Sequence, residues 1–160
     1  MKSYLNNSSL PRGLRNNNPG NLIRSSITWL GKVEHTKSRD TRFEQFISLA
    51  HGTRAMILDL IGDIEKKKQN TVRKLVSAFA PPSENNTLAY INSVSKAVGA
   101  PPDQVLNTTK ETLRKLIVAM VHVENGAQAA SFFTNADFED AYNLLPNSKK
   151  KLQPAVQEVS

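Results

Sequence analysis

The sequence predicts a mainly α-helical domain with a small hairpin or loop region near its N-terminus. Apolar residues recur at helical spacing through most of residues 48–145, whereas residues 11–47 hold turn-forming residues and only short alternating runs. A chain of 160 residues, 39% of them hydrophobic, suffices for one domain with its own core. We expect that domain at residues 11–146, between flexible polar tails at 1–10 and 147–160.

Two local sequence patterns predict a turn and a small hairpin in the N-terminal region. Residues 18–21, Asn-Pro-Gly-Asn, favour a type II turn, because proline presets φ and glycine accepts the positive φ that follows. Ile27 and Trp29 alternate as strand residues do, which is the basis for expecting a small β-hairpin.

Helices are predicted wherever a cap precedes or follows an apolar stripe. Ser48 and Thr71 are suitable N-caps, Gly99 suits a left-handed C-cap, and T-x-x-E at 108–111 is a capping box. The predicted spans are residues 48–65, 71–80, 87–99, 108–125 and 137–145.

Composition excludes several classes of function. The chain has no cysteine, which removes disulfides, thiolate nucleophiles and cysteine-based metal sites. His35, His51 and His122 show no metal-ligand spacing, so we expect neither a metal nor another cofactor. The first nine residues lack the apolar run of about 7–15 residues that a signal peptide needs. No stretch approaches the roughly 20 apolar residues of a membrane span.

The formal net charge of +7 indicates a polyanionic partner such as nucleic acid, an anionic membrane or cell wall. The basic residues are spread along the chain, without the aromatic residues that single-strand binders place between them. We therefore do not expect dedicated nucleic-acid binding.

Glu124 is the candidate for chemistry. It follows Ile117 by two turns and Met120 by one turn on the fourth long helix, which puts its carboxyl on the buried stripe. The negative end of the helix dipole and partial desolvation disfavour ionisation there and raise the expected pKa. Glycoside cleavage needs such a carboxyl, still protonated at neutral pH. The alternative is an exposed or ion-paired side chain at a frayed helix end.

A series of motifs spread over residues 11–130 is more specific. They are RGLRNNNPGN at 12–21, W-x-G at 29–31, D-x-x-F-x-x-F at 40–46, G-x-R-A at 52–55, A-P-P-x-E-N-N-T-x-x-Y at 80–90 and H-x-E-N-G at 122–126. In this order they resemble a family of phage-borne, lysozyme-like proteins that degrade peptidoglycan. The first motif resembles that family's R-G-x-R-N-N-N-P-G-N signature.

The order of elements also resembles that of glucosaminidases and lytic transglycosylases, but rotated. In those enzymes the glutamate helix precedes the asparagine-rich loop, whereas here it comes last. The resemblance implies a circularly permuted lysozyme-like fold with Glu124 beside the loop at 17–21. The chain departs from the family by one extra residue at 22–24 and by Val123, which replaces a usual histidine. We assign no role to His122.

The resemblance implies that Glu124 protonates the oxygen between N-acetylmuramic acid and N-acetylglucosamine. A hydrolase would then add water with a second carboxylate, for which Glu34, Asp40 and Glu44 are candidates. A lytic transglycosylase would instead let the muramyl 6-hydroxyl attack. The sequence leaves both mechanisms open.

Six residues are candidate substrate contacts, each with a structural alternative: Asn17, Asn18, Asn21, Trp29, Phe46 and Tyr90. Asparagine amides suit N-acetyl and hydroxyl groups, but asparagine also stabilises turns. The single tryptophan could stack on a sugar or close the core. Phe46 and Tyr90 fit either a cleft or an ordinary packed position.

Two rival functions stay open. One is a virion structural protein or glycan-binding module without turnover, and the other is a nucleic-acid-associated protein. An enzyme of this kind would act in the host periplasm, from the virion at entry or from inside the host cell at lysis. Without a signal peptide, the second route requires a holin or another passage across the inner membrane.

Overall fold

Helices dominate the computed structural model, which describes residues 1–80 and 86–150. They are α1 (Arg12–Arg15), α2 (Leu49–Glu65), α3 (Val72–Phe79), α4 (Thr87–Val98), α5 (Lys110–Asn125), a 3-10 helix (Ala127–Ser131), α6 (Asn135–Asn143) and α7 (Asn147–Lys150). The predicted mainly α class is confirmed. Periodicity does not predict α1 or the 3-10 helix, because four or five residues carry no detectable period.

The long helices end as their capping residues predict. Ser48 and Thr71 each accept a hydrogen bond from the N–H three residues further on, and Gly99 has a left-handed φ of 78°. The start of α5 differs by one residue, since Thr109 rather than Thr108 is the N-cap. The caps therefore set the boundaries of α2, α3 and α4, and the predicted capping box lies one position too early.

Residues 16–47, which we call the loop lobe, do not form the predicted hairpin. Among the described residues the strand-like pairings are two isolated antiparallel bridges, Ile23 with Phe43 and Lys32 with Phe46. Ile27 and Trp29 line a surface cavity instead of forming a strand. The alternating run is too short to pair over several residues.

The turn at residues 18–21 forms, but it is not of type II. The Asn21 N–H donates to the Asn18 carbonyl at 2.9 Å, as in any hydrogen-bonded turn. The positive φ falls at Asn21 (52°) and not at Gly20. Packing explains the glycine, because a Cβ at Gly20 would lie 2.8 Å from Sδ of Met56.

Helix α2 forms the largest part of the core. It packs against α6 and also contacts α3 and α5, while α4 lies along α5 and α1 contacts α5. Fully buried side chains from three helices meet there, including Leu14 of α1, Met56 and Leu60 of α2, and Leu116 and Ile117 of α5. This packing carries the loop lobe next to the C-terminal end of α5.

The first ten residues contact the domain, although their composition predicts a flexible tail. The Tyr4 hydroxyl donates to the Phe132 carbonyl at 2.9 Å, and Leu10 is only 6% exposed. These two side chains anchor the segment. The polar residues around them give the segment the composition of a flexible tail, so the sequence does not predict this contact. At the other end, α7 occupies 147–150, and the rest of the predicted tail lies outside the described residues.

Candidate active site

Asn17 and Asn18 support the loop lobe from inside. Both are 0% exposed. Asn17 accepts a hydrogen bond from the Tyr4 N–H and donates to the Phe46 carbonyl, while Asn18 donates to two carbonyls of the lobe and accepts one N–H from it. Phe46 is also fully buried. All three are candidate substrate contacts with a structural alternative, and their burial agrees with the structural alternative.

Asp40 joins the first motif to the loop lobe. Its carboxylate accepts five hydrogen bonds: two from the Arg12 guanidinium, one from the Asn16 amide and two from the backbone N–H groups of residues 42 and 43. The Arg12 guanidinium holds the pKa of Asp40 well below its usual range. Asp40 is thus an ionised structural centre, although it was a candidate second carboxylate.

The other two candidate carboxylates also lie away from Glu124. Glu44 is fully buried, with Oε1 2.8 Å from His35 Nε2 and Oε2 3.3 Å from Lys32 Nζ. The Glu34 side chain is 73% exposed on the surface of the lobe. Neither residue lines the cavity at Glu124.

Two close contacts hold the turn at 18–21 between helices. Gly52 of α2 faces the Asn17 carbonyl so closely that a Cβ there would overlap its oxygen. On the other side, the buried Asn125 donates from Nδ2 to the carbonyls of Pro19 and Val121, each at 2.9 Å. The last residue of α5 is therefore tied to the turn.

This arrangement brings Glu124 to Asn21. The Asn21 Nδ2 donates to Glu124 Oε1 at 3.1 Å, although the two residues are 103 positions apart. Glu124 is half-buried in the last turn of α5. The expected position of Glu124 beside the loop at 17–21 is confirmed by this contact.

Tyr90 of α4 lies next to the same carboxylate. It is 3% exposed, and its hydroxyl lies close enough to the Glu124 carboxylate to interact with it as a donor, although the contact falls short of ideal hydrogen-bond geometry. Burial and the neighbouring Glu124 carboxylate both raise the pKa of Tyr90. The side chain is therefore a neutral phenol, a potential hydrogen-bond donor held close to Glu124.

Glu124 and Asn21 open onto a cavity of about 500 Å³. The other lining residues are Gly20, Ile23, Arg42, Phe43 and Phe79. The cavity wall thus combines carboxylate, amide and guanidinium groups with two aromatic rings, which suits a polar ligand with apolar faces. The sequence did not identify Arg42 or Phe79 as site residues. Arg42 occupies an unspecified position of its motif, and Phe79 ends α3, which carries no motif.

Trp29 lies in an adjoining cavity of about 310 Å³, which shares Gly20, Asn21, Ile23 and Phe79 with the first. The cleft thus has two parts. Among the predicted site residues, Glu124, Asn21 and Tyr90 come together, and Trp29 lies in the second part of the cleft. The three buried residues, Asn17, Asn18 and Phe46, support the loop lobe from inside.

The histidines have structural partners. His35 contacts Glu44, His51 Nδ1 lies 2.6 Å from the Ser48 hydroxyl, and His122 Nε2 lies 3.0 Å from the Phe133 carbonyl. Residues 1–80 and 86–150 contain no group of three or more acidic or histidine side chains that could hold a metal ion. No helix in these two ranges has the length and apolar character to cross a membrane.

Fold and site define a mainly helical protein whose cleft carries a glutamate at a helix end, held by an asparagine of an N-terminal lobe. The chain is 37% identical over 124 residues to Protein P5 of Pseudoalteromonas phage PM2, covering 76% of this chain and 75% of that protein. It belongs to the family of that phage protein. No known family profile matches the chain.

Proposed function

We propose that this protein degrades peptidoglycan by cleaving the β-1,4 bond between N-acetylmuramic acid and N-acetylglucosamine. The observation that carries the proposal is the Asn21–Glu124 contact at the edge of an open cavity. It joins the two ends of the motif series that resembles lysozyme-like enzymes. Glu124 is the general acid.

The surroundings of Glu124 suit proton transfer to a leaving oxygen. The carboxyl is half-buried, which limits competing water, and it faces a cavity wide enough for a sugar chain. Once Glu124 has given up its proton, the Asn21 amide stabilises the carboxylate by donating to it. The buried Tyr90 phenol supplies a second donor to the same carboxylate.

The cavity favours a lytic transglycosylase over a hydrolase. Among the described lining residues, Glu124 is the single carboxylate of the first cavity, since Asp59 and Asp63 line only the adjoining one. Asp40 and Glu44 are buried carboxylates that already have ion-pair partners, so they do not serve as a second carboxylate. A transglycosylase needs one carboxyl, which first protonates the leaving oxygen and then accepts the proton of the muramyl 6-hydroxyl.

We also propose that the fold is lysozyme-like and circularly permuted. The support is the order of the elements together with their contact. The asparagine-rich loop comes first and the glutamate helix last, yet Asn125 and Glu124 bond directly to Pro19 and Asn21. In the enzymes that the chain resembles, the helix comes first.

A phage setting follows from the relative in phage PM2. We propose that the protein belongs to a phage, in the virion or the infected cell, and acts on glycan strands in the host periplasm. Its positive net charge favours approach to an anionic cell wall, and this attraction weakens as salt rises.

The test is release of soluble fragments from dye-labelled Gram-negative sacculi. Wild type is compared with Glu124→Gln and with Glu65→Gln, a matched control because Glu65 also lies in the last turn of a helix. We expect wild type and Glu65→Gln to release dye equally. Glu124→Gln should be slower by about 10²–10⁴-fold, the usual contribution of a general acid.

Other outcomes point elsewhere. Equal release by wild type and Glu124→Gln would mean that another residue is the acid. No release by folded wild type, with sacculus binding intact in both, would favour the glycan-binding or virion structural alternative. Binding to DNA with a steep salt dependence and no sacculus binding would favour the nucleic-acid alternative.

A further inference from the structure

The second part of the cleft has its own polar groups. Its cavity of about 310 Å³ is lined by Trp29, Asp59, Asp63, Gln69 and the shared Phe79, among others. This volume lies at the lower end of the range for ligand pockets, about 300–1,000 Å³. Sequence reasoning did not single out Asp59, Asp63 or Gln69.

Asp59 makes no hydrogen bond or ion pair with the described residues, although it is half-buried in α2. Burial and the nearby Asp63 raise the pKa of Asp59 to about 6. A partly desolvated carboxyl without a partner is destabilising, so its position in a cavity wall indicates a group kept for a ligand.

The neighbouring polar groups differ in whether they already have an ion-pair or hydrogen-bond partner. Asp63 forms an ion pair with Lys67, at 3.4 Å, so its charge is largely compensated. The Gln69 side-chain oxygen is buried without a hydrogen-bond partner. Trp29 is half-buried and contributes an apolar ring to the same wall.

We propose that this cavity is a saccharide subsite, in which Trp29 stacks on a sugar ring while Asp59 and Gln69 hydrogen-bond its hydroxyl or acetamido groups. The inference rests on the proposed function and deepens it. It assigns the second part of the cleft to a sugar adjacent to the scissile bond, and it names Asp59 and Gln69 as binding residues.

A neutral sugar fits this cavity better than a cation. Lys67, which also lines the cavity, forms an ion pair with Asp63 and attracts Asp59, so the two carboxylates already have a cation beside them. A ligand for Asp59 must donate hydrogen bonds, and a ligand for the Trp29 ring must offer an apolar face. Pyranose rings provide both, whereas the ammonium group of a peptide stem provides only the first.

The single tryptophan makes the subsite directly observable. Trp29 fluorescence is titrated with a stem-free N-acetylglucosamine oligomer, using the Glu124→Gln protein so that no cleavage occurs. We expect a saturable change in emission. Adding Asp59→Ala should weaken binding about tenfold, the effect of losing a hydrogen bond to a charged group. Adding Glu65→Ala removes one charge from the same helix and should leave binding unchanged.

The outcomes separate the subsite from the enzyme. If wild type cleaves sacculi but the oligomer leaves Trp29 emission unchanged, or binds equally to the Asp59→Ala and Glu65→Ala proteins, the subsite is wrong and the enzyme stands. A response to a diaminopimelate stem peptide instead of the glycan would also overturn the subsite. Absence of both cleavage and glycan binding would overturn the two together. Asp59→Asn, which preserves shape, provides a second variant if Asp59→Ala misfolds.

Discussion

Asn21 donates its side-chain amide to Glu124 at 3.1 Å, which joins the turn at 18–21 to the last turn of α5. Asn21 sits at the end of a hydrogen-bonded turn, and the residue after Glu124 is tied to that turn by a second hydrogen bond. A donor of this kind stabilises the carboxylate that remains after proton transfer. The pair therefore links the most N-terminal motif to the helix that carries Glu124.

Asn21→Asp should move the pH dependence of cleavage. Aspartate tolerates the left-handed φ of 52° at this position, so the turn is retained. The added negative charge makes Glu124 hold its proton more tightly, and the alkaline limb should shift upward by about one pH unit. The pH profile of kcat on sacculi measures this. An unshifted alkaline limb in a folded variant would show that Glu124 is not the titrating acid.

Tyr90→Phe should slow cleavage without lowering the stability of the fold. The substitution removes a buried hydroxyl that is poorly aligned with Glu124, so the free energy of unfolding should change by less than ~1 kcal/mol. Cleavage should slow about tenfold, because the donor beside Glu124 is lost. Urea denaturation and dye release measure the two effects. A lower stability with unchanged cleavage would make Tyr90 a purely structural residue.

Gly52→Ala and Gly62→Ala form a matched pair on α2. A Cβ at Gly52 would overlap the Asn17 carbonyl, whereas a Cβ at Gly62 meets nothing within 4 Å. Gly52→Ala should destabilise the protein by about 2 kcal/mol or more, by forcing backbone apart. Gly62→Ala should stabilise it by about 0.5–1 kcal/mol through helix propensity. Thermal unfolding compares them, and equal effects would contradict the packing of the loop lobe on α2.

Asp59→Asn should stabilise the protein at neutral pH only. The carboxyl ionises near pH 3.8 in the unfolded chain, while burial raises its pKa to about 6 in the folded protein. Its destabilising effect therefore grows between these values and is complete above pH 6. After discounting for partial exposure, we expect a gain of about 1–2 kcal/mol at pH 7.5. Urea denaturation should show no gain at pH 3.5, and a gain equal at both pH values would refute the assignment.

Sequence patterns are most informative where structure is local. Ser48, Thr71 and Gly99 mark helix ends because capping depends on residues a few positions away. Helical periodicity predicts Glu124 on the buried stripe of its helix, and the structure finds it half-buried there. Its proximity to Asn21 is implied by the resemblance to the rotated order of lytic transglycosylases, because the spacing of the motifs alone does not show it.

Burial and non-local contacts are less predictable. Asn17 and Asn18 match a binding motif, but whether an asparagine faces a cleft or the interior depends on contacts with residues 4, 22, 44 and 46. In the sequence, Asp59 resembles many other polar positions on an amphipathic helix. Its cavity exists only because Trp29 and Gln69 approach it from other segments.

The most direct test of the Asn21–Glu124 centre is mass spectrometry of the fragments that purified sacculi release with wild type, Asn21→Asp and Glu124→Gln proteins. We expect disaccharide-peptides with 1,6-anhydro-muramyl ends from wild type and none from Glu124→Gln. Asn21→Asp should give the same products more slowly at neutral pH, because it loses the amide donor that stabilises the Glu124 carboxylate. The same fragments from all three folded proteins, at equal rates, would contradict a catalytic role for the Asn21–Glu124 pair.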